Sequence, residues 1–86
     1  MKKLMIEDEN EGLVSLLGEK VTIFTNGYFY NGELVGVNDT CVKLKEPSII
    51  YETGSFSDSI YRDIQSLNKE FWYVAIPAIE SFGKSK

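Results

Sequence analysis

Residues 20–45 constrain the fold more than any other part of this 86-residue chain. Two turn sequences, Asn26-Gly27 and Asn38-Asp39, divide them into three short segments. Asn-Gly is a strong hairpin signal because both central positions of a type I′ turn need a positive φ, and Asn-Asp has similar turn chemistry. The stretch therefore predicts three consecutive antiparallel strands.

Alternation of side chains assigns the two faces of these strands. Lys43 and Lys45 fall on the face opposite Val42 and Leu44. Gly32, inside the middle segment, is costly in a strand unless the strand bends sharply there. The pattern predicts a small, strongly bent sheet whose apolar face carries the following residues: Val21, Ile23, Tyr28, Tyr30, Leu34, Val42 and Leu44.

Residues 18–44 resemble the first motif of the Sm and Sm-like proteins. That motif is a valine-bearing strand, an Asn-Gly turn, a bending glycine followed by x-Leu, an aspartate turn and a third strand. Residues 73–79 are similar in spacing to the A-I-x-x-I segment of the Hfq branch. The resemblance covers roughly residues 13–45 and 70–82, and the positions that match the first motif are Asn26, Gly27, Gly32, Leu34 and Asp39.

The resemblance implies one mainly β, Sm-like domain over residues 1–86. Its expected parts are a short N-terminal helix over 7–17, the first motif over 20–45, a variable loop over 47–69 and the second motif over 70–82. The strands are expected to form a strongly bent five-stranded antiparallel sheet, a small open barrel. Leu13, Leu16 and Leu17 have helical spacing, which a generic amphipathic helix over a small barrel explains equally well.

Between the two motifs the residues predict irregular structure. Glu46-Pro47 interrupts the third strand, and residues 48–51 are expected to continue it beyond a bulge. Ile60, Ile64 and Leu67 have the spacing of a turn or two of helix, although residues 60–64 also alternate. The last four residues, 83–86, are expected to be a disordered basic tail.

Residues 70–76 form the most β-prone window, and Pro77 is expected to kink the chain before a final strand. An open hydrophobic edge is an aggregation hazard that pairing with a neighbouring subunit removes. In Sm-like rings the fourth strand of one subunit adds to the fifth of the next. The resemblance thus implies a homo-oligomeric ring of about five to seven subunits, with an interface predicted to include Phe71, Trp72, Tyr73, Val74, Ile76 and Ile79.

Composition argues against catalysis and against membrane insertion. The chain has no histidine and one cysteine, Cys41, so the usual general base, a Cys-His nucleophile and a zinc site are all missing. No phosphate-cradling glycine loop, long apolar run or signal peptide occurs. We therefore expect a non-enzymatic cytoplasmic protein without cofactor or metal.

The resemblance also implies two candidate RNA-binding surfaces. On the pore side, the positions of the family's uridine pocket are occupied by Asp39, Cys41, Lys43 and Ala75. The stacking residue, the base-reading asparagine and the arginine of that pocket are replaced here, and stacking alone is worth about 1–3 kcal/mol per base. On the opposite face, the candidate residues are Tyr28, Tyr30 and Asn31, which core or interface packing explains as well.

Function remains open between three classes. The first is an Sm-like ring that binds single-stranded RNA, of the RNA-chaperone or RNA-processing type, with a degenerate uridine pocket. The second is a ring of the same fold that serves as a scaffold for protein partners, and the third is an unrelated SH3-like monomeric module. A net charge of −4 has the wrong sign for attracting nucleic acid overall, so RNA affinity should be modest or local.

Overall fold

The computed structural model describes residues 11–86, which form six strands, a short helix and a 3₁₀ turn. The strands form one antiparallel sheet in the order β4-β3-β2-β1-β6, and β5 pairs with β3. The mainly β antiparallel prediction is confirmed, whereas the expected count of five strands is wrong. The elements are α1 Gly12–Ser15, β1 Lys20–Thr25, β2 Phe29–Val37, β3 Cys41–Glu52, β4 Asp63–Ser66, β5 Phe71–Ala75, η1 Ile76–Ala78 and β6 Ile79–Lys84.

The first hairpin forms where it was predicted, but with a different turn. β1 and β2 pair in register up to Phe24 and Phe29. Neither Asn26 nor Gly27 has the positive φ that a type I′ turn requires, so that turn type is wrong. Instead, the Thr25 hydroxyl accepts hydrogen bonds from the Gly27 and Tyr28 N–H groups and donates one to the Tyr28 carbonyl. A side-chain-supported turn therefore replaces the expected one.

At Gly32, where a bend was predicted, the β2–β3 pairing is irregular, with a register shift between Asn31 and Glu33. A Cβ on Gly32 would lie 3.1 Å from the Lys45 carbonyl oxygen and 3.2 Å from the Leu44 Cβ. Opposite it, β3 runs through the predicted bulge, where Glu46 has a φ of 51° and Pro47 is fully buried. The two strands thus approach closely enough at Gly32 that only glycine fits without a shift.

One face of the sheet holds the main core. Its fully buried members come from β1, β2 and β3, as the alternation predicted, and Val74 of β5 joins them. Leu13 and Leu16, from α1 and the turn after it, pack against this core, while Leu17 is largely exposed. The core residues are Val21, Ile23, Leu34, Val42, Leu44 and Val74.

Residues 53–62, which we call the insertion loop, contact the other face of the sheet at β1. The Tyr61 hydroxyl hydrogen-bonds to Thr22 of β1, and the Phe56 ring lies 6.5 Å from the Phe24 ring. After the loop, β4 pairs with the second half of β3, with Ile64 opposite Ile50. The helical turn expected over residues 60–67 is therefore wrong, because these residues extend the sheet instead.

The two ends of the chain also differ from expectation. The described part of the predicted 7–17 helix is helical only over Gly12–Ser15, and residues 7–10 lie outside the described residues. The expected kink at Pro77 is confirmed as η1, which leads directly into β6. The prediction of a disordered tail over residues 83–86 is wrong, because β6 extends to Lys84 and the Ser85 N–H donates to the Lys20 carbonyl.

Candidate functional site

Pairing of β5 with β3 brings together three of the four residues predicted for the pore side. Cys41 lies opposite Ala75, and Lys43 lies opposite Tyr73. Asp39 occupies the preceding turn and is exposed. That turn is ordered by Asn38, whose side-chain oxygen accepts hydrogen bonds from the Thr40 and Cys41 N–H groups. Cys41 and Ala75 thus lie at one end of the β3–β5 pair, next to the turn that contains Asp39, and Lys43 lies at its middle.

Lys43 is the centre of a cation–aromatic cluster on the outward side of this pair. Its ammonium lies 4.0 Å from the centre of the Phe71 ring and 5.9 Å from that of the Tyr73 ring. Lys45 lies opposite Phe71 in the same pairing. We call Lys43, Lys45, Phe71 and Tyr73 the lysine–aromatic face. It combines positive charge with an exposed ring, since 59% of Tyr73 is accessible, which is the chemistry that suits stacked bases and phosphates.

The three residues predicted for the opposite face do not form one exposed surface. Tyr28 is exposed and lies in the turn, whereas Tyr30 packs partly against the core. Asn31 is 2% exposed, and its side-chain amide donates to the hydroxyls of Thr22 and Ser85. Asn31 therefore has a structural part in the sheet, and Tyr28 is the accessible member of the three.

The predicted interface residues, from β5, η1 and the start of β6, divide into two sets. Val74 is buried in the core, and Trp72, Ile76 and Ile79 pack against that core. Phe71 and Tyr73 lie on the outward side with the lysines. Most of the apolar side chains of this window thus pack in the core of the chain itself.

The alternation of hydrogen bonds along β5 shows which of its backbone groups point away from β3. The Glu46 N–H donates to the Glu70 carbonyl, and the Ile76 N–H donates to the Thr40 carbonyl. Since hydrogen-bonded pairs alternate along an antiparallel ladder, residues 72 and 74 also bond to β3. The N–H and C=O groups of Phe71, Tyr73 and Ala75 therefore point toward the outer edge.

β6 has the same arrangement at the other end of the sheet. The bond from the Ser85 N–H to the Lys20 carbonyl places residues 81, 83 and 85 in contact with β1. The backbone groups of Phe82 and Lys84 then point outward. Within residues 11–86, neither this edge of β6 nor that of β5 has another strand beside it. β4 also has a single neighbour, β3, so the described residues leave the outer edges of β4, β5 and β6 unpaired.

A network of hydrogen bonds between buried polar side chains was not predicted from the sequence. Thr22 lies opposite Asn31 in the β1–β2 pairing, and Tyr61 and Ser85 complete the network from the insertion loop and the end of β6. The only local signal was a polar residue at position 22 between two apolar ones. Tyr61 lies 39 residues from its partner Thr22 and Ser85 lies 54 residues from its partner Asn31, so neither could be inferred from spacing.

Residues 11–86 contain no group of three or more Cys, Asp or Glu residues placed to hold a metal ion. Over the same range, no helix has the length and apolar character needed to cross a membrane. The lysine–aromatic face and the unpaired strand edges are surface features of the described range.

Comparison with known proteins adds no relative. No family model matches the sequence, and no curated protein matches it. Membership of the Sm-like family therefore stays a prediction that depends on the motif residues named above.

Proposed function

We propose that the protein assembles into an Sm-like homo-oligomeric ring that binds single-stranded RNA. The observation that carries this proposal is that β5 and β6 leave unpaired outer edges at opposite ends of one open sheet, with the lysine–aromatic face beside the edge of β5. A sheet that exposes an apolar strand edge needs a means of covering it. A second copy of the same chain supplies a matching strand at each end.

The two edges favour a head-to-tail contact between subunits. β5 and β6 are different strands, so a contact between them uses different surfaces on the two subunits and generates a ring if the rotation closes. Pairing would occupy the outward backbone groups of Phe71, Tyr73 and Ala75 with those of Phe82 and Lys84 of the next subunit. The family resemblance supports closure at about five to seven subunits.

The lysine–aromatic face is the proposed RNA contact. Each subunit would present Lys43, Lys45 and the Tyr73 ring next to its neighbour, so a ring would repeat the same face at regular intervals. Cys41 and Ala75 provide neither a ring for stacking nor a positive charge for a phosphate. In this proposal, base preference comes from stacking on Tyr73, and the two lysines attract the phosphates. The affinity is modest because the chain carries a net charge of −4.

Removing the Tyr73 ring should weaken RNA binding while leaving assembly intact. Tyr73→Ala removes a stacking platform worth about 1–3 kcal/mol per base, or roughly 5- to 150-fold in dissociation constant. Lys43→Gln should lower both the affinity and the steepness of its salt dependence, because one fewer phosphate is neutralised. Fluorescence anisotropy with labelled U-rich and A-rich RNA at several salt concentrations measures both effects.

Tyr28→Ala is the matched control for this experiment. Tyr28 has a similar exposure, 54% against 59%, but lies in the β1–β2 turn, away from the lysine–aromatic face. RNA binding should be unchanged in this variant. If Tyr28→Ala weakens binding and Tyr73→Ala does not, RNA binds the opposite face and the proposed contact is wrong.

A protein-interaction scaffold of the same architecture is the second candidate function. The observation that favours it is the exposure of large apolar side chains on the insertion loop, 67% for Phe56 and 73% for Ile60, on a chain of net charge −4. An RNA-binding measurement on the assembled ring distinguishes the two functions. A ring that binds neither U-rich nor A-rich RNA at low salt supports the scaffold.

A further inference from the structure

The ammonium group of Lys86 is hydrogen-bonded to three backbone carbonyls. Its ammonium donates to the carbonyl oxygens of Thr53 at 2.7 Å, Ser55 at 2.8 Å and Ile60 at 3.3 Å. A lysine ammonium has three donors and no acceptor, so three carbonyls match its capacity. All three acceptors belong to the insertion loop, whereas the lysine comes from the segment after β6.

Two aromatic rings complete the surroundings of this ammonium. The nitrogen lies 4.6 Å from the centre of the Tyr61 ring and 5.3 Å from that of the Phe56 ring. Both distances are within the range at which the negative face of a ring attracts a cation. We call the three carbonyls of residues 53, 55 and 60 together with these two rings the ammonium cage.

The cage has supports that do not involve Lys86. Gly54 has a φ of +69°, which turns the chain so that the carbonyls on either side of it both reach the ammonium. The Asp58 N–H donates to the Ser55 carbonyl at 3.0 Å, which closes the turn. Tyr61 is anchored to the sheet through its hydroxyl bond to Thr22. The carbonyls therefore converge because of the loop's own conformation.

The cage also borders open space. Phe56, Tyr61 and Lys86 line a cleft of about 410 Å³ between the insertion loop and β6. A small molecule entering this cleft would reach the same rings and the position of the ammonium. The site is thus accessible to a ligand from solution once the lysine side chain leaves it.

We propose that the ammonium cage is a binding site for a primary alkylammonium group, occupied within the same chain by Lys86. The carbonyls select a group with N–H donors, and the rings favour a cation with an apolar stem. Bound in this way, Lys86 fastens the insertion loop to the end of β6. This inference does not depend on ring formation or on RNA binding.

The test is chemical rescue of the Lys86→Ala variant. Truncation leaves three carbonyls without their charged donor, so hydrogen exchange of the amides in residues 53–62 should accelerate by about tenfold. Propylammonium chloride should restore the protection in a saturable manner, since it supplies the same terminal group and part of the stem. Tetramethylammonium chloride at equal concentration should not, because it has no N–H donor.

Two further variants make the result specific. Lys84→Ala removes the same charge two residues earlier, outside the cage, and should leave exchange in residues 53–62 unchanged. Phe56→Leu, introduced together with Lys86→Ala, removes one ring and should raise the concentration of propylammonium needed for rescue. Phe56 is 67% exposed, so this second change should not disturb folding.

The proposal is overturned if Lys86→Ala leaves exchange unchanged, or if tetramethylammonium restores protection as well as propylammonium does. Equal acceleration in Lys84→Ala would also overturn it, because the effect would then come from net charge. Native mass spectrometry of the same variants separates this inference from the proposed function, since loss of the cage should leave the oligomeric mass unchanged.

Discussion

Replacing Tyr73 with proline should dissociate the oligomer into folded monomers. The Tyr73 N–H points toward the outer edge of β5, so proline removes a donor to the neighbouring subunit but none to β3. Its ring also occupies the space in which the partner strand would lie. Size-exclusion chromatography with light scattering should show the mass of a single chain, and circular dichroism should show an intact sheet.

Tyr73→Ala provides the matched control because it removes the same side chain and keeps the N–H. It should retain the full oligomeric mass while losing RNA affinity, which separates the backbone edge from the lysine–aromatic face. If Tyr73→Pro folds and still forms particles of full size, β5 does not pair with a neighbour through this edge. The proposed head-to-tail contact would then be wrong.

Replacing Gly32 with valine should cause the largest loss of stability of any single substitution considered. Its Cβ would lie 3.1 Å from the Lys45 carbonyl oxygen, 3.2 Å from the Leu44 Cβ and 3.4 Å from the Pro47 Cα, and two of these neighbours are backbone atoms. Overpacking of this kind costs about 3 kcal/mol at the upper end of its usual range. For a domain of this size the melting temperature should fall by roughly 12–24 °C.

Gly27→Val is the control in the same hairpin. A Cβ at Gly27 meets no atom within 4 Å, and its φ is not in the left-handed region, so its melting temperature should stay close to that of the unchanged protein. Thermal denaturation followed by circular dichroism compares the two variants directly. Equal stability of Gly32→Val and Gly27→Val would contradict the close approach of β2 and β3 at Gly32.

Features set by neighbouring residues were predictable from the sequence. Alternation placed Val42 and Leu44 in the core and Lys43 and Lys45 on the other face, because a strand has a period of two residues. Gly32 inside a strand marked the register irregularity between β2 and β3. Pro77 marked the break between the last two strands, because proline cannot continue a ladder in a central position.

Features that depend on distant partners were not predictable. Ile60, Ile64 and Leu67 fit a helical spacing, but residues 63–66 pair with residues 48–52 of β3 and form a strand. The Asn26-Gly27 turn follows the Thr25 hydroxyl rather than the usual preference of its two central residues. In both cases a contact formed by the folded chain overrides a local tendency.

The candidate site was also predictable only where neighbouring residues determine it. Cys41, Lys43 and Ala75 were assigned to one region from motif spacing, and the β3–β5 register brings them together. The aromatic rings that flank Lys43 were assigned to a different role, because spacing alone does not show which side of β5 faces the lysine. Asn31 is held in a buried network whose partners Thr22 and Ser85 come from β1 and the end of the chain.

Native mass spectrometry of the protein mixed with short U-rich and A-rich RNA tests the central proposal most directly. A closed multiple of the 9.8 kDa chain that carries RNA at low salt, and loses it as the salt concentration rises, is the predicted result. The relative occupancy of the two RNAs then gives the base preference. A single chain of 9.8 kDa without RNA under the same conditions would contradict both the ring and its proposed ligand.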